Sequence, residues 1–230
     1  MIQKSLTKTK QDKRIFIIET AAKVFAKYGF HKTLMQDISN EAQIGKGTIY
    51  EYFTTKEELF FSIYDHWMND LESIAQKRFD DAPDQIAKTE ALRDTMIEFY
   101  ESRANEAPLI LEFWAHSLRT DEQLFLNRIR KVRRFFTNLG NSITNDLTKY
   151  GYFIPVEEES FTELESGISD GIFLLWLLNG QNFSLKKAFQ FRQSVIGLGL
   201  LADDARTVVK SKLEGILSEG FLPTKEERKK

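Results

Sequence analysis

Cysteine is missing from all 230 residues, so disulfides, thiolate metal ligands and thiol nucleophiles are excluded. The absence suits a reducing compartment, and a cytoplasmic location is expected. Proline occurs only four times, and no Gly/Ser-rich linker, low-complexity block or internal repeat interrupts the chain. No apolar run nears the ~18 residues needed to cross a bilayer; Ile172–Leu178 is the longest and falls far short. The basic opening MIQKSLTKTKQDKR lacks the apolar stretch of a secretory signal, so no membrane partner is expected. Histidine is scarce as well. His31, His66 and His116 stand apart, with no H-E-x-x-H pair, so neither a metal nor any other cofactor is expected.

Enzyme signatures are missing too. Ser117 beside His116 is no nucleophile elbow, and Glu157–Glu159 reads as the acidic start of a helix. Gly197-Leu198-Gly199 lies in a helical context with no Lys-Ser/Thr after it, so it is not a phosphate loop. No catalytic residues are assigned, and the chain is expected not to be an enzyme. Sustained two-residue alternation is absent, which removes the case for strands. Apolar spacing of three and four residues appears instead almost throughout. The expected fold class is all-α, with nine or ten helices.

The first helix is expected from about Lys13 to Tyr28, with Ile17, Ala21, Val24, Phe25 and Tyr28 on one face and Gly29 as its carboxy-terminal cap. Thr33 is placed to cap a second helix ending near Ala42. A third covers Lys46 to Phe53, and Thr55 with Glu58 forms a capping box for a fourth reaching about Phe79. Further helices are expected at about Gln85–Asn105, Pro108–Leu118, Asp121–Tyr150 and Glu157–Leu178. A ninth is capped by Ser184, and a tenth runs from Asp203–Asp204 to near Gly220.

Charge is unevenly spread. Residues 1–56 hold ten of the 32 Lys/Arg but only five of the 34 Asp/Glu, so this quarter is basic and the rest acidic. A polyanion is drawn to the first part and repelled by the second; a solvated basic tail would look the same. Within this quarter lie two short helices around a four-residue turn containing Gly45. Ile38 and Ala42 face inward on the first, Ile44 plugs the turn, and Ile49 and Phe53 anchor the second. Lys46, Thr48, Glu51 and Tyr52 are left outward, a polar face suited to a major groove.

The segment Ala42-Gln43-Ile44-Gly45-Lys46-Gly47-Thr48-Ile49-Tyr50-Glu51-Tyr52-Phe53, followed by Lys56-Glu57, resembles the DNA-binding region of the TetR family of bacterial repressors. Ala21-Ala22, Phe25 and Tyr28-Gly29-Phe30 resemble the family's first helix, and the likeness covers about residues 14–60. The sequence departs from the family pattern at Gln43, where glycine is usual, at Gly45, where serine is usual, and at Tyr52, where histidine is common.

The resemblance implies a helix-turn-helix domain over 1–56 and a helical ligand-binding and dimerisation domain over 57–230. It implies base or backbone contacts for Lys46, Thr48 and Gly47, with Tyr50, Tyr52, Lys56 and Thr33 at phosphates. Met35 and Gln36 would touch the groove, and Gln36 suits adenine. Lys8, Lys10, Lys13 and Arg14 would form a backbone-following arm. A plain surface or packing role is the alternative for each.

Beyond residue 57 no motif stands out. Met96, Phe99, Tyr100 and Arg103 on one helix, Phe113, Trp114, His116 and Ser117 on the next, and Phe173 and Trp176 further on are candidate ligand contacts. Ordinary core packing is the simpler account of any one of them. By analogy with the family, 160–178 and 187–217 form the interface of a homodimer through the carboxy-terminal helices. The expected partners are a double-stranded DNA operator, a second copy and a small hydrophobic effector. The expected function is a ligand-responsive regulator, a repressor released from a pseudo-palindromic operator. An activator or ligand-independent regulator with the same head, or a helical carrier or interaction module, stays open on these residues.

Overall fold

In the computed structural model, residues 2–119 and 123–208 are described, and within them the chain is built from α-helices. These are α1 (Ile2–Tyr28), α2 (Met35–Ala42), α3 (Lys46–Tyr50), α4 (Lys56–Asp81) and α5 (Gln85–Ser102). After a 3₁₀ turn at Ala104–Glu106 come α6 (Ala107–Arg119), α7 (Gln123–Lys149), α8 (Glu158–Leu178) and α9 (Leu185–Leu200). Helical residues follow again at 203–208. The expected cap at Asp121, and the expected tenth helix beyond 208, lie outside the described residues. No β-strand occurs among the described residues; one isolated bridge joins Phe153 to Leu201.

The local chemistry explains most boundaries. Gly29 takes φ 80°, a left-handed angle that ends α1 without a Cβ penalty. Thr55, Asp84 and Ser184 cap α4, α5 and α9 by accepting from the amides of Glu58, Ala87 and Lys187. Glu157 caps α8 in the same way through Glu159 and Ser160. The capping box at α4 reaches one residue further back than expected. The Glu58 carboxylate accepts chiefly from the amide and hydroxyl of Thr54, at 2.7 and 2.8 Å.

Two expectations are corrected. Leu34, not Thr33, occupies the cap position of α2, because the Asp37 carboxylate accepts the Leu34 amide at 2.8 Å. The first helix begins at Ile2 rather than near Lys13, so the stretch read as an arm is helical. Its residues hold no proline or glycine to stop helix growth.

Packing joins these helices through one apolar cluster. Ile17, Ala21, Phe25, Ile38, Ile49 and Phe53 bring α1, α2 and α3 together, and Phe60 continues the cluster into α4. The same cluster runs on through Trp67, Tyr100, Phe113, Phe173 and Phe189. Phe60 is its hinge point, fully buried with ring centroids 4.6 Å from Phe30 and 4.5 Å from Phe113. A smaller cluster of Phe79, Leu139 and Ile143 closes the far ends of α4 and α7.

Hydrogen bonds to Thr54 hold the Glu58 carboxyl below its ordinary pKa. A depressed carboxylate stabilises the fold above its unfolded pKa, and that contribution is lost as pH falls through the folded value. Glu58→Gln should therefore be less stable than the parent at neutral pH. The gap should close between about pH 5 and pH 3, as read from urea unfolding at a series of pH values.

Candidate nucleic-acid interface and ligand cavity

The two short helices are locked by a turn that the sequence serves imperfectly. Gln43 adopts φ 53°, a left-handed conformation that costs a residue with a Cβ about 1 kcal/mol. The turn is held by the Ile44 amide donating to the Ser39 carbonyl at 3.1 Å and by the buried Ser39 hydroxyl donating to the Ile44 carbonyl at 3.0 Å. Gly45 then caps α3 in an extended conformation with no side-chain bond. Ile49 and Phe53 are fully buried, which fixes the rotation of α3 and turns its polar side outward.

The outward side carries part of the expected set. Gln36, Lys46, Gly47 and Tyr50 are exposed. The Lys46 ammonium lies 5.8 Å from the Tyr50 ring centroid, and Gln36 Nε2 donates to Asn40 Oδ1 at 2.9 Å. A side chain at Gly47 would meet open space. Thr48 and Tyr52 are half-buried, and Lys10 lies 6.0 Å from the Tyr52 ring.

Three expected contacts are corrected by their surroundings. Thr33 is fully buried and its hydroxyl donates to the Gly29 carbonyl at 2.8 Å, so no hydroxyl faces a phosphate. Met35 is buried in the core. Lys56 donates to the carbonyls of Phe30 and Thr33, at 2.8 and 3.0 Å, and sits over the Phe30 ring. It is a tie between α4 and the α1–α2 turn. Arg14, expected in the arm, donates to the Ser62 hydroxyl at 3.1 Å and covers the Phe53 ring. Lys13 is exposed, and the Lys8 side chain lies outside the described residues.

A cavity of about 470 Å³ lies between α5, α7, α8 and α9, closed at one end by α4 and α6. Of the expected ligand contacts, Met96, Phe99, Tyr100 and Trp114 line it. The others do not. Arg103 pairs with Glu19 at 3.2 Å and covers Trp67. Phe113 is fully buried under Phe60. His116 contacts the rings of Phe30, Phe60 and Phe61, and the Ser117 hydroxyl donates to the Trp114 carbonyl. Phe173 stacks behind Tyr100 at 4.0 Å, with Trp176 beside it. Arg103 follows the end of α5, and the other five lie on α6 and α8 but point away from the cavity.

Sequence reading missed the opposite walls. Arg93, nearly buried, donates to Gln193 Oε1 at 3.0 Å across a hundred residues of chain. Arg192 binds the Glu165 carboxylate and the Ser169 hydroxyl. Burial pushes the Glu165 carboxyl up, against the pull of Arg192. Burial likewise raises the Tyr64 and Tyr100 phenols well above their usual value, so both stay protonated in the wall. No sequence signal marks these pairings, because they join separate helices.

Glu112 was also missed. From α6 its two carboxylate oxygens accept the Phe30 amide at 2.9 and 3.1 Å. Among the described residues no group of acidic or histidine side chains is placed to hold a metal, and no helix is long and apolar enough to cross a membrane.

A short helix, a tight turn and a second helix with a buried underside and a polar outer face constitute a helix-turn-helix DNA-binding head, carried on an all-α body. Residues 17–63 match the family model for bacterial regulatory proteins of the tetR family. The chain is 22% identical over 179 residues to the fatty acid metabolism regulator protein of Bacillus subtilis (strain 168), covering 77% of this chain and 90% of that one. In fold it is similar to a TetR transcriptional regulator from Chloroflexus aurantiacus J-10-FL, with a TM-score of 0.69 at 20% identity over 82% of this chain and 96% of the other. It is also similar to the regulator FadR from Bacillus subtilis in complex with stearoyl-CoA, with a TM-score of 0.62 at 19% identity over 76% and 95% of the two chains.

If Lys56 is a tie, Lys56→Met should leave two carbonyls short of a donor and lower stability by about 1–3 kcal/mol without DNA present. Chemical denaturation of the free protein checks this; an unchanged midpoint would restore Lys56 to the phosphate role.

Proposed function

We propose that the protein is a repressor whose dimer grips a pseudo-palindromic operator and is released when an effector fills the cavity. The head is assigned to residues 1–56 and the ligand-binding and dimerisation body to 57–230. DNA contact is assigned to Gln36, Lys46, Gly47, Thr48, Tyr50 and Tyr52. Two recognition helices α3 would enter successive major grooves about 34–36 Å apart. The dimer is assigned to α8 and α9, where Leu164, Leu175, Leu178, Phe191, Val195 and Leu198 remain exposed.

The observation that carries the switching half is the position of α6. Ile110 and Trp114 on this helix line the cavity, while Glu112, between them in sequence, holds the Phe30 amide just before α2. A ligand that shifts α6 therefore pulls on the turn leading into the DNA-binding helices. Lys56 holds the carbonyl side of that turn from α4, and α4 itself contributes Tyr64, Met68 and Leu71 to the cavity wall. An effector acts only through its preference for one of the two states, and a coupling of about 1–3 kcal/mol changes operator affinity roughly 5–150-fold. The relatives support an apolar effector: one is named a fatty acid metabolism regulator and another similar fold holds stearoyl-CoA.

Gel shifts on promoter DNA beside the protein's own gene test the reading. Specific, salt-sensitive binding is expected, with Lys46→Ala and Thr48→Ala losing site preference by about 1–3 kcal/mol. Absence of any specific complex at moderate salt points to the carrier or interaction module instead. Glu112→Gln keeps the side chain's shape but weakens its hold on the Phe30 amide, so it should bind operator while responding less to effector. An unaltered effector response would remove α6 from the mechanism. Transcription in vitro separates repressor from activator.

A further inference from the structure

The cavity walls are not uniformly apolar, and the way their polar atoms are committed specifies what they lack. On α5 the wall runs from Gln85 to Tyr100, roughly 22 Å at the helical rise. The partners of three wall residues on α5 mark its levels. Tyr100 stacks on Phe173 at one end, Arg93 meets Gln193 in the middle, and Gln85 meets Asp146 at the other end. The cavity is therefore a long slot with an aromatic end, an arginine belt and a third section beyond the belt.

That third section is lined by acceptors. The hydroxyls of Thr89 and Thr144 donate to the carbonyls of Gln85 and Gly140 within their own helices, at 2.7 and 3.2 Å. What each then presents to the slot is oxygen lone pairs. Gln85 donates its amide nitrogen to the Asp146 carboxylate at 2.7 Å, which fixes the amide orientation, and its Oε1 is buried with no partner. Asn141 likewise directs its nitrogen to Glu158, leaving its oxygen as the uncommitted end. Four side chains from α5 and α7 thus offer acceptor oxygens to this section, and one of them, Gln85 Oε1, is buried without a partner.

The belt has the opposite deficit at one atom. Arg192 spends its terminal nitrogen on Glu165 and Ser169, while its Nε is buried without an acceptor. The belt's positive charges are locally answered, Arg192 by Glu165, Arg133 by Asp170 and Arg93 by Asp94. A ligand need not bring a full charge to satisfy them.

The geometry points to an uncharged amphiphile: an alkyl chain of medium length in the aromatic end, an oxygen at the junction accepting from Arg192, and a donor-rich hydroxyl or amide head among Gln85, Thr89, Asn141 and Thr144. The chain length follows from the belt-to-aromatic distance, seven residues on α5 or roughly 10 Å, which about eight carbons fill. This deepens the effector reading and rests on the cavity being the effector site. It goes beyond hydrophobicity by assigning the polarity of the head.

Calorimetric titration of the full chain with three single-tailed probes, each below its micelle-forming concentration, tests the assignment. Octyl β-D-glucoside offers a junction oxygen and several donors, octyl sulfate an anionic head with acceptors only, and octyltrimethylammonium a cation with no donor. The glucoside is expected to bind at least tenfold tighter than the other two. Thr89→Val with Thr144→Val should weaken the glucoside about tenfold and leave octyl sulfate unchanged, whereas Thr89→Ser should keep wild-type affinity. Tighter binding of octyl sulfate would overturn the proposal and make the belt a reader of anions. Equal weakening of all probes by the valine variant, or no binding of the glucoside, would also overturn it. The titrations contain no DNA, so such a failure leaves the regulator reading to stand or fall on the gel shifts.

Discussion

The turn between α1 and α2 is held by opposite charges at its two kinds of backbone group. Glu112 takes the Phe30 amide, and Lys56 takes the carbonyls of Phe30 and Thr33. Hydrogen bonds to charged partners are stronger than neutral ones, and here they replace the helical bonds that a turn leaves unmade. The consequence is positional. The entry to α2 is set by α6 and α4 rather than by the turn itself, so the outward face of α3 inherits its direction from helices that also wall the cavity.

The aromatic core reinforces the same dependence. Phe30 and Phe60 touch, and Phe60 touches Phe113 of α6. Close-packed rings cannot be displaced singly, because interiors pack near crystal density and shift between discrete arrangements. A displacement of α6 therefore reaches Phe30 through side chains and through the Glu112 carboxylate together. Arg14 adds a third bracket from α1, bonding Ser62 and covering Phe53 at the end of the recognition segment. The basic amino-terminal stretch thus does packing work at Arg14 while Lys13 remains free in solvent.

How much of this was legible depends on sequence separation. Most helix positions, though not the start of α1, the left-handed Gly29, the caps at Thr55 and Ser184 and the inward Ile38, Ile49 and Phe53 follow from spacings of a few residues, and the structure matches them. Of the outward set expected around α3, Lys46 and Glu51 are exposed, since burying Ile49 fixes the rotation, while Thr48 and Tyr52 are half-buried. Thr33, Met35 and Lys56 were misread because their partners are a carbonyl, a core and a turn that only the folded chain supplies. In the body, periodicity identified the right helix but not which face met which neighbour. Met96, Phe99 and Tyr100 line the cavity, whereas Arg103, one turn further from Phe99, turns instead to Glu19 of α1. The partnership of Arg93 with Gln193 has no local trace at all.

Gln43 shows where local and global demands part. A left-handed residue suits glycine, and the sequence offers glutamine, at a cost of about 1 kcal/mol. Two hydrogen bonds between Ser39 and Ile44 span that residue and hold the turn closed, each contributing about 0.5–1.5 kcal/mol. The exchange leaves the angle between α2 and α3 determined by a buried serine rather than by the turn residue's own preference. It also leaves an exposed amide side chain at Gln43, next to the outward side of α3, where glycine would present none. The departure at Gln43 is therefore accommodated by the fold, and its effect falls on the exposed surface beside α3.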